Sequence, residues 1–211
     1  MQILSFILIY FPLLFGYSTI RDLPSDGKKV WKENNGIVII EAENNQDKKS
    51  NENGWKLKKI PKGYTGKGYY QWNGVGLWHK PSAYDSLPAE RILTYYFEIE
   101  KEGVYYAKLR NYHLQEDGDN DVFLSINKSD WNKVYDHQES QWTWDENGKW
   151  EDKYPHFFKK GIYILQLGGR SVGFGVDKIA LFHETLAPDP WSACDTTLWS
   201  DTKESKTYWL K

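Results

Sequence analysis

The sequence predicts an all-β protein, an antiparallel β-sandwich or jelly roll. Three observations carry that expectation. No segment of useful length keeps the apolar period of about 3.6 residues that an amphipathic helix needs. Short apolar runs alternate instead at period two, as where Tyr163, Leu165 and Leu167 interleave with Ile164 and Gln166. Turn residues separate these runs, among them the glycine-rich stretch between residues 167 and 175. A repeat of fixed period is absent, which argues against a propeller or solenoid.

Each segment has its reason. Residues 1–17 are apolar and uncharged, and residues 1–18 read as a signal peptide, with Gly16 and Ser18 near the cleavage point. The run lacks a basic start, falls short of the roughly 20 residues a bilayer span needs, and contains Pro12. The expected product is secreted or periplasmic, with no stable membrane insertion. Residues 19–30 form a polar leader, residues 31–184 the domain, and residues 185–211 a tail carrying Trp191, Trp199 and Trp209. The first strand covers 37–43, and the polar stretch 44–54 is a solvated loop. Residues 55–60 alternate as a short strand. The glycine-punctuated segment 63–74 turns into a strand at 69–72, followed by a loop with Trp78, His79 and Tyr84. Strands 92–99 and 104–112 are joined by Glu100-Lys101-Glu102-Gly103. An acidic loop precedes strand 121–126, which puts Val122, Leu124 and Ile126 on one face. A mixed stretch holds Trp131, Trp142 and Trp144, Phe157 and Phe158 follow, and runs 162–167 and 174–182 form a hairpin-like last pair. About eight strands result, near the usual number for a sandwich.

Composition narrows the function. The net charge is −2 and no Lys/Arg block appears, so a nucleic-acid partner is not expected. Aromatic residues make up 17%, with 11 Trp and 15 Tyr. A core does not require so many indoles, so some should lie at a surface where a ring can stack on a ligand. The single Cys194 leaves no internal disulfide, and the fold must hold by packing or a metal. Asp177 falls on the same face as Ile179 and Leu181, and a carboxylate there needs a partner. Glu41 and Glu43 end the first strand, so the first and last strands are expected side by side, sharing one ion at their ends. The other reading pairs Glu41 and Glu43 with Lys178 or Arg170 and binds no metal.

The motifs Val38-Ile39-Ile40-Glu41-Ala42-Glu43, Gly63-Tyr64-Thr65-Gly66-Lys67-Gly68-Tyr69, Gly103-Val104-Tyr105-Tyr106-Ala107-Lys108-Leu109-Arg110, Asn120-Asp121-Val122-Phe123-Leu124 and Gly173-Phe174-Gly175-Val176-Asp177-Lys178-Ile179 occur in that order. Together they resemble the galactose-binding-like β-sandwich of carbohydrate-binding modules, families 6 and 35 and their relatives, over residues 31–183. The resemblance implies a jelly roll with a structural Ca²⁺ between first and last strands, for which Glu41, Glu43 and Asp177 match the acidic ligands. Calcium takes six to eight oxygens, which three carboxylates plus carbonyls can supply. The resemblance also implies sugar binding in loops at one end.

Sugar rings need a flat aromatic platform and a few planar polar groups. The candidate set is Trp72 with Asn73, Arg110, His113, Asn120, Asp121, Trp142, Trp144, Arg170 and Phe174. By resemblance, Trp72 or Tyr70 follows the glycine-rich turn, and Trp142 or Trp144 sits in the later loop. The polar residue common before the last strand is replaced here by Gly173-Phe174-Gly175, which shifts that contact toward Arg170. Each candidate has a plainer role: Trp72 as core, Trp142 and Trp144 as a covering stripe, Arg110 bridging Asp121, His113 as a loop histidine, and Asn120-Asp121 as a turn. Asn127-Lys128-Ser129 fits an N-glycosylation sequon.

The leading reading is a secreted, non-catalytic carbohydrate-binding module for a polysaccharide or oligosaccharide. An adhesion sandwich contacting other secreted proteins is the alternative, since fold alone does not set function. A small polysaccharide hydrolase or lyase stands third. Glu41 and Glu43, about 7 Å apart along one strand, cannot flank a glycosidic bond from opposite sides. The histidines have no metal-binding spacing, and neither a nucleophile elbow nor a P-loop is present.

Overall fold

The computed structural model describes residues 27–45, 54–78, 87–115, 118–144, 156–186 and 202–210. The expected signal peptide, most of the leader, His79, Tyr84, Trp191, Cys194 and Trp199 lie outside the described residues. Thirteen strands and three 3₁₀ turns make up the described secondary structure: β1 (Lys29–Lys32), β2 (Ile37–Glu41), β3 (Trp55–Lys58), β4 (Tyr69–Trp72), β5 (Ile92–Ile99), β6 (Gly103–Tyr112), β7 (Asp121–Ile126), β8 (Asn132–Tyr135), β9 (Thr143–Trp144), β10 (His156–Phe158), β11 (Gly161–Gly168), β12 (Gly175–His183) and β13 (Thr207–Trp209). The all-β expectation holds. No described helix is long and apolar enough to cross a membrane.

Two sheets face each other. One runs β13-β1-β5-β11-β7-β8; the other runs β10-β6-β12-β4-β3, with β2 also on β12 and β9 on β6. All pairs are antiparallel except β1 with β5. Alternation sends Leu93, Tyr95, Phe97, Leu165, Leu167, Val122 and Leu124 inward from the first sheet, against Val38, Ile40, Tyr105, Leu109, Val176, Ile179 and Leu181 from the second.

Runs 162–167 and 174–182 do not form a hairpin. They become β11 and β12 in opposite sheets, and the turn between them crosses from one layer to the other. Both are apolar because both line the core, so their pairing could not be read from composition. The strands expected side by side from runs 37–43 and 174–182 do pair: β2 lies antiparallel to β12, with Glu41 opposite Lys178, although β1 precedes and β13 follows them.

The described segments that flank the sandwich are woven into it. β1 begins at Lys29, and residues 202–210 return across both sheets. Thr207–Trp209 pairs β1, Ser205 exchanges two hydrogen bonds with Ile39, and Tyr208 and Leu210 pack on Val30, Tyr96 and Ile164. The Glu204 carboxylate accepts from the Trp31 indole at 2.7 Å and from Asn44 at 2.9 Å.

Candidate functional site

Two places gather the chemistry. The first is a rim at one end of the sandwich, set by Trp72. This side chain ends β4 pointing into the core and meets Trp55 edge-on at 5.7 Å. Three glycines make room for it: a Cβ on Gly54, Gly74 or Gly169 would stand 2.1, 2.3 or 2.2 Å from the indole. The Trp72 N–H donates to the Val75 carbonyl at 3.2 Å, tying the buried ring to the outgoing loop. That loop lifts Val75 and Trp78 into solvent, 77% and 70% exposed. Leu77 donates its N–H to the Arg170 carbonyl at 3.0 Å, and the Arg170 guanidinium donates to the Trp78 carbonyl at 3.4 Å.

A cavity of about 250 Å³ opens here, lined by Trp78, Val75, Val172, Gly118, Arg170 and Ser171 among others. Pockets for drug-sized ligands run roughly 300–1,000 Å³, so this one suits a single ring-sized group better than an enclosed oligomer. Its polar side is fixed: Arg170 and the Ser171 hydroxyl both donate to the buried Asp121 carboxylate. Asp119 accepts the Leu114 and Gln115 N–H groups at 3.1 and 2.9 Å.

The second place is a carboxylate centre at the other end of β4. A bulge between Val176 and Lys178 takes Asp177 out of the alternation, so Val176 and Ile179 both face the core. Asp177 therefore does not share the face of Ile179 and Leu181. It accepts the Thr65 N–H at 2.9 Å and a charge-assisted bond from Arg110. The Thr65 hydroxyl donates to Glu41 at 2.6 Å, and Lys178 lies 3.5 Å from Glu41. Glu43 accepts the Lys67 N–H at 2.7 Å, and its other oxygen is buried with no partner. Gly66, at φ +60°, closes over both glutamates; a Cβ there would meet Glu43 Oε1 at 2.1 Å. Burial pushes all three carboxyls up, Glu43 to about 7 against the Lys67 N–H, and Asp177 against the Arg110 hydrogen bond.

Oxygen-rich donors and an orphaned carboxylate oxygen are what a hard cation satisfies. Against that, Arg110 and Lys178 already set two positive charges beside three negative ones. Among the described residues no three acidic, His or Cys side chains converge as a ready metal site.

The candidates separate accordingly. Trp72, Trp144 and Phe174 are buried and cannot offer a ring face to a sugar: Trp72 and Phe174 belong to the core, and Trp144 packs on Ile39, Ala180 and Phe182 outside the second sheet. His113 is also buried, stacked on Phe174 with one nitrogen 2.7 Å from the Gln115 carbonyl. Asn120 and Asp121 are buried beneath the rim. Asn73 is half-buried, donates to the Gln71 carbonyl at 2.9 Å and is not among the residues lining the cavity. Arg170 is at the cavity. Arg110 and Trp142 belong to the carboxylate centre, where the half-buried indole stacks on the guanidinium at 5.3 Å and donates to the Lys62 carbonyl. Trp78, Val75, Ser171 and Val172 were not picked out by motif; for Trp78 the available signal was an indole in a glycine-flanked loop with no apolar neighbour two residues away.

The fold defines the class, a two-sheet β-sandwich with a turn-borne rim at one end. No family model matches the sequence, and no curated protein matches it. Solved structures do. The GH26-CBM35 β-(1,4)-mannanase of Podospora anserina matches 71% of this chain at 16% identity and TM-score 0.50. The chain covers only 28% of that enzyme's length. A family 35 carbohydrate-binding module from Clostridium thermocellum matches over 70% of this chain and 98% of its own, at 13% identity and TM-score 0.41. A CBM36 domain of a xylanase from the hindgut metagenome of Trinervitermes trinervoides matches over 69% and 95%, at 12% and 0.41. At such identities the shared property is the fold.

Proposed function

We propose that the protein is a secreted, non-catalytic glycan-binding module that receives a saccharide at the Trp78 rim. The observation carrying this reading is the exposed Trp78 indole at the mouth of a small cavity whose polar side, Arg170 and Ser171, is held in place by Asp121. An indole face takes the apolar face of a sugar ring, and Arg170 and Ser171 supply hydrogen-bonding groups at its edge. The fold it shares with a CBM35-bearing mannanase makes β-(1,4)-mannan the first polysaccharide to try.

The rim supports binding over chemistry. Its carboxylates, Asp121 and Asp119, are held by Arg170, Ser171 and backbone N–H groups rather than facing each other across an open cleft. Calcium enters as part of the same proposal. Glu41, Glu43 and Asp177 would hold it, Glu43 through its unpartnered oxygen, and the ion would pin β2, β12 and the 63–67 turn together. Secretion rests on the apolar residues 1–18. A second reading, a protein-contact surface, draws on the apolar Val75, Trp78 and Val172.

Tryptophan fluorescence titrated with a polysaccharide panel decides between them. The expected result is a saturable shift, lost in Trp78→Ala and kept in Trp209→Ala, whose indole lies on the β13 edge. Silence across the panel, or undiminished affinity in Trp78→Ala, removes the glycan reading.

A further inference from the structure

The segment from Gly54 to Tyr84 contains no Asp or Glu, while the chain as a whole carries 29 in 211 residues. Its described part holds Lys56, Lys58, Lys59, Lys62 and Lys67. Four of them are exposed and Lys58 is half-buried. None makes an ion pair with a described residue, although the protein pairs Lys32, Lys178, Arg110 and Arg170 with carboxylates elsewhere. Lys62 leans on the Tyr64 ring at 5.5 Å. A protein of net charge −2 therefore has a basic edge here that no described carboxylate pairs.

The position of that edge matters. β3 pairs β4 with Trp55 opposite Trp72 and Lys58 opposite Tyr69, and Asn73 donates its N–H to the Gly54 carbonyl at 2.8 Å. The lysines thus start beside the base of the Trp78 loop and run away from it over about 13 Å of strand and the turn beyond. Lysines on an edge strand also deter unwanted strand pairing, which accounts for Lys56 and Lys58. It does not account for Lys59, Lys62 and Lys67, which lie past the strand, nor for the missing acids. Lys62 and Lys67 flank the turn whose Thr65 and Lys67 N–H groups bond the carboxylate centre; Lys56 and Lys58 on β3, with Lys59 just past its end, are the lysines that lead away from the rim.

We propose that the glycan is an acidic polysaccharide, its carboxylate or sulfate groups lying along the β3 lysines while one ring rests on Trp78. This rests on the glycan-binding reading above. The full chain is titrated with polygalacturonate, with the same polymer fully methyl-esterified, with a sulfated galactan, with neutral mannan and with duplex DNA. At about 50 mM salt an acidic polymer should bind more tightly than the ester, and the difference should shrink as salt rises toward 0.5 M and screens the exposed charges. Lys56→Gln/Lys58→Gln/Lys59→Gln should weaken acidic-polymer binding about tenfold, a factor of roughly two to three for each exposed pair, and leave the ester unchanged. The tighter of polygalacturonate and sulfated galactan identifies the anionic group.

Equal binding of acid and ester, or a triple variant with unchanged affinity, overturns the acidic ligand while the glycan reading stands. Tight mannan binding with no acidic preference does the same. Failure to bind any glycan sinks the glycan reading itself. DNA held as tightly as either acidic polymer, and lost in the triple variant, overturns a glycan-specific role in favour of a general polyanion surface.

Discussion

Replacing Gly169 by alanine tests whether the buried Trp72 ring sets the rim. The new Cβ would stand 2.2 Å from Cδ2 and 2.3 Å from Cε3 of the indole. Neither side can give way. The Gly169 N–H donates to the Arg91 carbonyl at 2.9 Å, and the Gly169 carbonyl accepts from the Arg91 guanidinium at 3.0 Å. The indole is held by Trp55, by its bond to Val75, and by Arg91 over its face at 5.0 Å. Gly169 has no positive φ, so the alanine backbone itself is unstrained and the effect is steric. Overpacking of this kind costs about 1–3 kcal/mol, and with both partners pinned the upper end applies. For a domain of this size that lowers Tm by roughly 6–12 °C. Gly76→Ala is the matched control: its Cβ would lie 3.8 Å from the Arg170 carbonyl oxygen and 3.9 Å from Val172, an ordinary contact. It should stay within about 0.5 kcal/mol of wild type. Chemical denaturation read by far-UV circular dichroism gives both values. A Gly169→Ala protein as stable as wild type, with unchanged glycan affinity, would refute the claim that Trp72 is clamped and positions the loop.

Glu33 accepts backbone N–H groups from Gly36, Glu100 and Lys101 at 2.6–2.7 Å. Burial pushes its carboxyl up, the three donors outweigh that, and the net shift is downward. Glu33→Ala should therefore cost about 2–4 kcal/mol in a urea melt near neutral pH. The wild-type advantage is present above the ordinary Glu pKa of 4.5 and fades as pH falls through the lowered value; a variant equally destabilised at every pH would contradict the charge argument. Burial depresses His156 to about 4 from 6.5, so folding loses up to about 3 kcal/mol as pH falls through that window, measured as a steeper acid unfolding in wild type than in His156→Phe. If calcium binds only the folded chain, saturating it at 100 times Kd raises stability by about 2.7 kcal/mol, and a melt identical with chelator and with calcium removes the ion. Glu204→Ala strands the Trp31 indole N–H and should cost about 1–2 kcal/mol; no loss would mean the returning chain end contributes nothing to the sandwich.

Patterns local to one strand were legible in the sequence. Period-two alternation placed Leu165 and Leu167, Val122 and Leu124 on core faces, and the Val38–Glu43 and Gly173–Ile179 motifs placed β2 beside β12. Features made by distant parts of the chain were not. The bulge that turns Asp177 toward Arg110 leaves no mark in the residues around it, because Val176-Asp177-Lys178 reads equally well as unbroken alternation. β11 and β12 read as a hairpin because a turn that crosses between layers and one that joins neighbours use the same glycines. β13 was hidden in the tail because its three residues are held by distant parts of the chain, by pairing with β1 and by Tyr208 packing on Tyr96 and Ile164.

The same reasoning explains why the sequence favoured Trp72 as a platform over Trp78. An indole is admitted to the interior by small neighbours, and only one of those around Trp72 is near it in sequence, Gly74. Gly54 approaches through the β3–β4 pairing, and Gly169 comes from the turn after β11 in the opposite sheet. Removing any one of them would push the ring outward or break the pairing that supports it. Trp78 has glycine close by at Gly76, yet that glycine's Cβ position faces Arg170 and Val172 rather than the indole, so no vacancy draws the ring in. The bond from Trp72 to the Val75 carbonyl then couples the two outcomes: burying the first indole fixes the start of the loop that holds the second one out. A platform of this kind is specified by where backbone without side chains converges around its buried neighbour, which is a property of the folded chain and not of the tryptophan.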